Sequence, residues 1–265
     1  MRWITPAEKA IIKKDFGEIW NTKMARNTML ALPIILVVFL PAMYLAIIFL
    51  VPPEQVNGMD KMLSLLPPEA KHFSQRQSMF YMLTNVLCPM FFLMIPLMIS
   101  SISAACSFVG EKERSTIETL LLTPLSVERI FKAKVFGCVI LSAVSTAISF
   151  IAFSITISIG DIMLEMPFFL NWNWLVLVLL LAPAITVFGV IFMVIFSGRS
   201  KSYMESFQTS SYIVLPLVLL FIGQFTGLFQ LNALILLILS VVILLLDIVL
   251  LAFGSRSFTP EKLLR

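Results

Sequence analysis

The chain has 265 residues, of which 59% are hydrophobic and 13% are charged, and its formal net charge is +4. Its mean hydropathy of +0.99 corresponds to far more apolar surface than one soluble core of this length can bury. A soluble globular domain is therefore excluded, and the sequence predicts an all-α integral membrane protein.

An amphipathic helix is predicted in the N-terminal segment, residues 1–27. Thr5, Pro6 and Glu8 provide a capping residue, a proline at the first helical position and a glutamate three residues after the cap. Apolar residues then recur between charged ones at helical spacing: Ile12, Phe16, Ile19 and Trp20. We expect this helix to lie in the headgroup plane of the membrane, the alternative being a solvated terminus.

Six stretches are apolar enough to cross a hydrocarbon core about 30 Å thick, which requires roughly 20 residues of helix. We place them at residues 28–51, 79–109, 131–159, 174–196, 207–223 and 231–254. They define a transmembrane domain over residues 28–254, followed by a tail over residues 255–265. Prolines inside these stretches predict kinks: Pro33, Pro41, Pro89, Pro96, Pro183 and Pro216.

The distribution of Lys and Arg predicts the orientation of the spans. With the N-terminus inside, 16 of the 19 basic residues fall in cytoplasmic segments, and the other three lie in an external segment over residues 52–78. Because cytoplasmic loops carry the positive excess, both termini are expected in the cytoplasm. The net charge then reflects orientation, and no nucleic-acid partner is expected. Trp172 and Trp174 would form an aromatic belt at the outer interface.

The segment between the second and third spans, residues 110–127, is the most informative part of the sequence. Ser115 and Glu118 form a capping box that begins a short helix, which must end before Pro124. Ile117, Leu120 and Leu121 share one face of that helix. Ser126 is then expected to cap the next helix, with Glu128 near its positive end. The exposed aliphatic face needs either lipid or the groove of a cytoplasmic protein to cover it.

The run E-K-E-R-x-T-x-E-x-L-L-x-x-P-L-S, from Glu111 to Ser126, resembles the signature segment of ABC-2 type transporter permeases, especially the sodium-efflux-permease-like and the drug or peptide export branches. The layout is also similar: an amphipathic N-terminal helix, six spans, and a larger external segment after the first span. The resemblance covers the whole chain in topology and about 25 residues in motif. That family often has a re-entrant hairpin between spans five and six, for which this sequence leaves little room.

The resemblance implies a half-transporter in the plasma membrane of a bacterial cell. Two copies, or this chain and a sister chain, would enclose a pathway in the lipid and be driven by two cytoplasmic ATPase subunits that hold ATP and Mg²⁺. The short helix would be the coupling helix that docks on the ATPase, through Thr116, Ile117, Glu118, Leu120 and Leu121. The hinge of an inner gate would consist of Glu111, Lys112, Glu113 and Arg114.

The chain itself is expected to be non-catalytic and to hold no cofactor or metal. None of its 10 glycines begins the G-x-x-x-x-G-K-[ST] loop that binds nucleotide phosphates, so hydrolysis must come from a separate polypeptide. The single histidine lies in the external segment. An intramembrane protease would need clustered Glu, His or Asn within the spans, and such a cluster is not found there.

Four polar residues within the spans are candidates for the pathway: Ser145, Ser149, Gln208 and Asp247. A carboxylate at the position of Asp247 costs about 2 to 3 kcal/mol unless it is paired or protonated. It is either an ion or proton site or, as we favour, the partner of a basic or hydroxyl group on a neighbouring helix. The two serines are interpreted mainly as helix-packing residues, with pathway lining as the alternative.

Together these features predict the permease subunit of an ATP-driven exporter. So few charges within the spans favour a hydrophobic or amphipathic cargo, such as a peptide, a drug or a lipid. Sodium extrusion is the alternative within the family, and Asp247 is the feature that favours it. An ATP-independent transporter or a membrane scaffold is the alternative outside it.

Overall fold

The computed structural model describes residues 5–51, 72–113, 125–197, 202–226, 228 and 231–257. In these ranges the regular structure is entirely helical. Five of the helices are long and apolar enough to cross a membrane. The all-α prediction is therefore confirmed for the described residues, and these five helices suggest a multi-pass membrane protein.

Helix α1 spans Pro6–Asn21 and begins as the sequence predicts. The Thr5 hydroxyl accepts from the Glu8 backbone N–H at 3.3 Å, and the Glu8 carboxylate accepts from the Thr5 N–H at 2.7 Å. This reciprocal pair satisfies two backbone donors that the first helical turn leaves free. Phe16 and Trp20 stack on each other on the exposed face of α1, with ring centroids 6.3 Å apart.

The five long helices are α2 (Lys23–Leu50), α3 (Gln75–Glu113), α4 (Val127–Met163), α5 (Trp172–Ser197) and α8 (Ala233–Ser257). They match five of the six predicted spans to within a few residues at most ends, and α2 begins five residues before its predicted span. Helices α3 and α4 have 39 and 37 residues. At 1.5 Å per residue each is roughly 55 to 60 Å long, so each extends well beyond a 30 Å hydrocarbon core.

The predicted fifth span is interrupted. Residues Tyr203–Ser210 form helix α6, Ser211–Val214 form a 3₁₀ turn, and Leu215–Phe225 form helix α7. Pro216 lies in the first turn of α7, where its missing N–H prevents the regular α-helical bond to the preceding turn. The 11 residues of α7 reach about 16 Å, which is half the bilayer core, so the sixth crossing stays a prediction.

Prolines explain three π-helical segments within the long helices. These segments are Ile34–Phe39 in α2, Leu83–Leu87 in α3 and Leu177–Leu181 in α5, and a proline follows each of them after two residues. A proline cannot donate to the carbonyl four residues before it, and its ring clashes with that carbonyl. In all three cases this carbonyl lies inside the π segment, whose wider turn accommodates the clash.

Helix α3 is the centre of the bundle. In its most apolar stretch 72% of the residues are buried inside the protein, against 17% for α8. Phe92 of α3 packs against Phe153 of α4 and Trp174 of α5 in an aromatic core. Trp172 is exposed, but Trp174 is buried and its indole N–H donates to the Thr84 carbonyl at 3.2 Å. The expectation that Trp174 belongs to an interfacial belt was therefore wrong.

Gly189 sets the closest approach between α5 and α3. A Cβ atom at Gly189 would collide with the Ser100 side chain and would lie 3.2 Å from the Leu97 carbonyl oxygen. Small residues at such crossings let helix backbones approach closely, which strengthens packing in lipid. The α3–α5 contact therefore depends on the absence of a side chain at this position.

The substitution Gly189→Ala is expected to destabilise the protein by about 1 to 3 kcal/mol, because the added methyl group overpacks this contact. Gly17→Ala is the matched control, since nothing lies within 4 Å of a Cβ at Gly17, and it should raise stability by up to about 1 kcal/mol. Thermal unfolding of both variants in detergent measures the difference. Equal shifts for the two variants would contradict this account of the α3–α5 contact.

Candidate functional site

A buried ammonium group is the centre of the candidate site. Lys134, near the start of α4, is only 2% exposed, and its Nζ lies 3.1 Å from Glu111 Oε2 and 3.1 Å from Asp15 Oδ2. The same nitrogen donates to the Ser107 carbonyl at 2.9 Å and lies 3.1 Å from the Ser107 hydroxyl. Removing a charge from water is tolerated only with such pairing. We call Asp15, Ser107, Glu111 and Lys134 the charge cluster.

Helix α1 brings Asp15 into the cluster. Ile11, Asp15 and Ile19 are its buried residues, spaced four apart, so they form one stripe along the helix. Helix α1 packs along α4, where the Ile12 side chain lies 3.4 Å from the position of a Cβ at Gly137. The interior stripe of α1 thus holds a carboxylate between two isoleucines, while Phe16 and Trp20 cover its outer side.

Ser107 belongs to a fourth π-helical segment, Ala105–Val109 in α3, which no proline follows within two residues. A π turn holds one more residue than an α turn, so a backbone carbonyl is left without its usual helical donor. Here the Ser107 carbonyl accepts from Lys134, and the Ser107 hydroxyl donates to Asp15 Oδ2 at 2.6 Å. This π segment therefore supplies two oxygen atoms to the charge cluster.

Glu111 connects two lysines from different helices. Its Oε2 pairs with Lys134, and its Oε1 accepts from Lys14 Nζ of α1 at 2.8 Å. Partial burial would lower the pKa of Lys14, but the hydrogen bond and the negative charge of Glu111, with Glu18 nearby, outweigh it and raise that pKa. Glu111 thus links the C-terminal turn of α3 to both α1 and α4.

At Asp15 the effect of burial is the largest. It raises the pKa of the Asp15 carboxyl above its usual value, although the charge of Lys134 and the hydrogen bond from Ser107 act in the opposite direction. Loss of either partner would leave a carboxylate that is 3% exposed without its compensation. The site therefore depends on all three helices being docked at once.

An apolar contact completes the attachment of α1. Ile11 of α1 packs with Ile130 and Ala133 of α4, and Leu125 packs against this cluster. Leu125 directly follows residues 114–124, whereas Glu111 stands three residues before them. Helix α1 therefore contacts the chain on both sides of that segment. Lys14 pairs with Glu111 on one side, and Ile11 packs with Ile130 and Ala133, near Leu125, on the other.

Three carboxylates at this site lie close enough to suggest a metal site, since oxygen atoms of Asp15, Glu18 and Glu111 are all within 4.8 Å of one another. Two ammonium groups already lie among them, with Lys14 Nζ 3.5 Å from Glu18 and Lys134 Nζ bonded to the other two carboxylates. These positive charges oppose a further cation. The arrangement is best described as an ion-pair network.

The structure describes three of the four residues that were predicted to form the hinge of an inner gate. Glu111, Lys112 and Glu113 form the last turn of α3, and the irregular backbone lies just before them, at Ala105–Val109. Arg114 and the predicted coupling helix, with Thr116, Ile117, Glu118, Leu120 and Leu121, lie outside the described residues. Ser126 stands at the N-cap of α4 but makes no side-chain cap bond.

The candidate pathway residues do not come together at one place. The Ser149 hydroxyl donates to the Ser145 carbonyl at 2.7 Å within α4, as packing residues do, and Gln208 is exposed on α6. Asp247 of α8 is 2% exposed, and neither of its carboxylate oxygens has a hydrogen-bond partner among the described residues. The pairing that we favoured for Asp247 is therefore not found in this part of the chain.

Comparison with protein-family models, with curated proteins and with solved structures found no match for this chain. The resemblance to ABC-2 type permeases consequently depends on the sequence motif and the layout alone.

Sequence reasoning missed Asp15, Ser107 and the role of Lys134. The N-terminal pattern predicted charged residues between apolar ones, and the basic residues predicted the orientation of the spans, so neither Asp15 nor Lys134 was assigned a buried partner. One signal was available, because Asp15 falls midway between Ile11 and Ile19 on the same helical stripe. No local pattern reveals that its partner lies 119 residues away.

The substitution Lys134→Met should destabilise the protein by about 3 to 5 kcal/mol, because Asp15 and Glu111 would stay buried without their shared cation. Lys132→Met is the matched control. Lys132 pairs with Glu128 at 2.6 Å on the surface, where both side chains are more than two-thirds exposed, so its loss should cost less than about 1 kcal/mol.

Denaturant or thermal unfolding in detergent gives the comparison, and hydrogen exchange should show α1 losing protection only in Lys134→Met. Similar behaviour of both variants would refute the buried cluster.

Proposed function

We propose that this chain is the membrane-embedded permease subunit of an ATP-driven exporter of the ABC-2 type. It acts as a dimer, with itself or with a sister chain, and is driven by separate cytoplasmic ATPase subunits. The chain binds membrane lipid through its apolar helices and performs no hydrolysis of its own. Its termini face the cytoplasm, where the charge cluster also lies.

One observation supports this proposal most directly: α1 contacts the chain on both sides of residues 114–124. Those residues carry most of the motif that resembles the family's coupling segment. Force applied to a short helix there would reach α3 through Glu111 and α4 through Leu125 and Ile130. Because α1 and both helices share the charge cluster, they would move together as one body.

The exposed surface of the long helices favours an apolar or amphipathic cargo. Helix α8 exposes large aliphatic side chains around most of its circumference, and α4 exposes a continuous aliphatic stripe along its outer side. Such surfaces suit lipid, a second copy of the chain or an apolar solute, but offer little to a strongly charged one. Peptides, drugs and lipids are therefore the proposed cargo classes.

The docking hypothesis predicts that a nucleotide-binding protein accompanies the tagged chain through purification from its native membrane. Leu120→Asp should abolish that association, because a charge would replace an apolar anchor of the coupling helix. Leu170→Asp is the matched control, since Leu170 is a partly exposed residue between α4 and α5, at the opposite end of α4 from residues 114–124. Quantitative mass spectrometry of the purified material measures both. If no such protein is found with the unmodified chain, an ATP-independent transporter or scaffold becomes the better assignment.

The proposed orientation predicts that position 117 faces the cytoplasm. With Cys88, Cys106 and Cys138 replaced by alanine, Ile117→Cys should react with a membrane-impermeant maleimide only after the membrane is permeabilised. A cysteine replacing Leu170 should react in intact cells, because the two positions flank opposite ends of α4. Labelling of position 117 in intact cells would reverse the orientation and remove the basis for ATPase docking.

A further inference from the structure

The carboxyl group of Asp247 is buried in the last helix with no partner in the described part of the chain. Asp247 continues the interior stripe of α8 formed by Leu236, Ser240 and Ile243. It lies 14 residues from the first residue of α8, or about 21 Å along the axis, so it is well inside the span. Both of its oxygen atoms are inaccessible and without hydrogen bonds in the described structure.

The helix that packs along α8 offers no compensating charge. Helix α5 has no titratable residue anywhere between Trp172 and Ser197. Its two buried hydroxyls in this half are already used, since Thr186 donates to the Ala182 carbonyl at 2.8 Å and Ser197 donates to the Val194 carbonyl at 2.6 Å. On α8 itself, the Ser240 hydroxyl donates to the Leu237 carbonyl. Among the described side chains of these two helices, none therefore stabilises a negative charge at Asp247.

A carboxylate in such surroundings must be neutralised by something that it binds. From this geometry we infer that Asp247 binds a proton within the membrane and is neutral at rest. A sodium ion would need several further oxygen ligands, which the apolar surroundings of Asp247 in the described structure do not offer. The inference does not depend on the proposed function, since it would hold for any protein with this α5–α8 contact.

Reaction with dicyclohexylcarbodiimide tests the inference directly in the full chain. This hydrophobic reagent takes up a protonated carboxyl group by addition across one C=N bond, and the acyl group then migrates to nitrogen to leave a stable N-acylurea. We expect Asp247 to be labelled in membranes at slightly acidic pH without sodium, as peptide mass spectrometry would show. A water-soluble carbodiimide should leave Asp247 unmodified, and Asp247→Asn should lose the label.

Added sodium tests whether a proton is the occupant. Equal labelling in sodium and in potassium salt is expected, whereas protection from labelling by sodium but not by equal potassium would overturn the assignment to a proton. Absence of labelling in sodium-free membranes at every pH tested would overturn the inference.

The stability of Asp247→Asn provides a second, independent test. Asparagine has the shape of a protonated aspartic acid, so the variant should unfold at the same temperature as the unmodified chain in slightly acidic buffer. If Asp247 makes the unfolding temperature depend on pH, that dependence should be absent from the variant. A large drop in unfolding temperature, like that expected for Lys134→Met, would show that Asp247 is instead held in an ion pair.

Discussion

The burial of the Lys134 ammonium group is the constraint on which the end of the bundle near α1 depends. Lys134 lies on α4, but the oxygen atoms that compensate it come from α1 and from two turns of α3. A buried cation with incomplete pairing is costly, so the three helices must dock in one relative position. Such a cluster specifies a geometry more than it adds stability, because the desolvation of its members offsets most of the attraction.

The π segments show how this bundle adapts regular helices to specific contacts. Three of them follow from proline, and the freed backbone is used in at least one case, where the Thr84 carbonyl accepts from Trp174. The fourth has no proline and instead delivers Ser107 to Lys134. Two of the four described π segments thus supply an oxygen atom that satisfies a polar group of another helix.

Hydropathy and capping rules predicted the features that depend on local sequence. The Thr5 capping box, the start of α4 near Ser126 and the five long apolar helices all follow from neighbouring residues. Pro216 predicted a kink close to the break at Ser211–Val214. The burial of Trp174 was missed, because an apolar run does not reveal where helices cross. Asp15 and Lys134 were missed for the same reason, since each gains its environment from a partner distant in sequence.

Asp15 and Asp247 show why burial alone does not define the state of a carboxyl group. Both are almost completely buried, at 3% and 2% exposure. Asp15 has an ammonium and a hydroxyl within hydrogen-bond distance, so a negative charge there is stabilised by neighbours from two other helices. Asp247 faces a helix without a single titratable residue, and its charge has no such support. The first carboxylate can therefore hold helices together, whereas the second can change its charge without breaking a contact that the described structure contains.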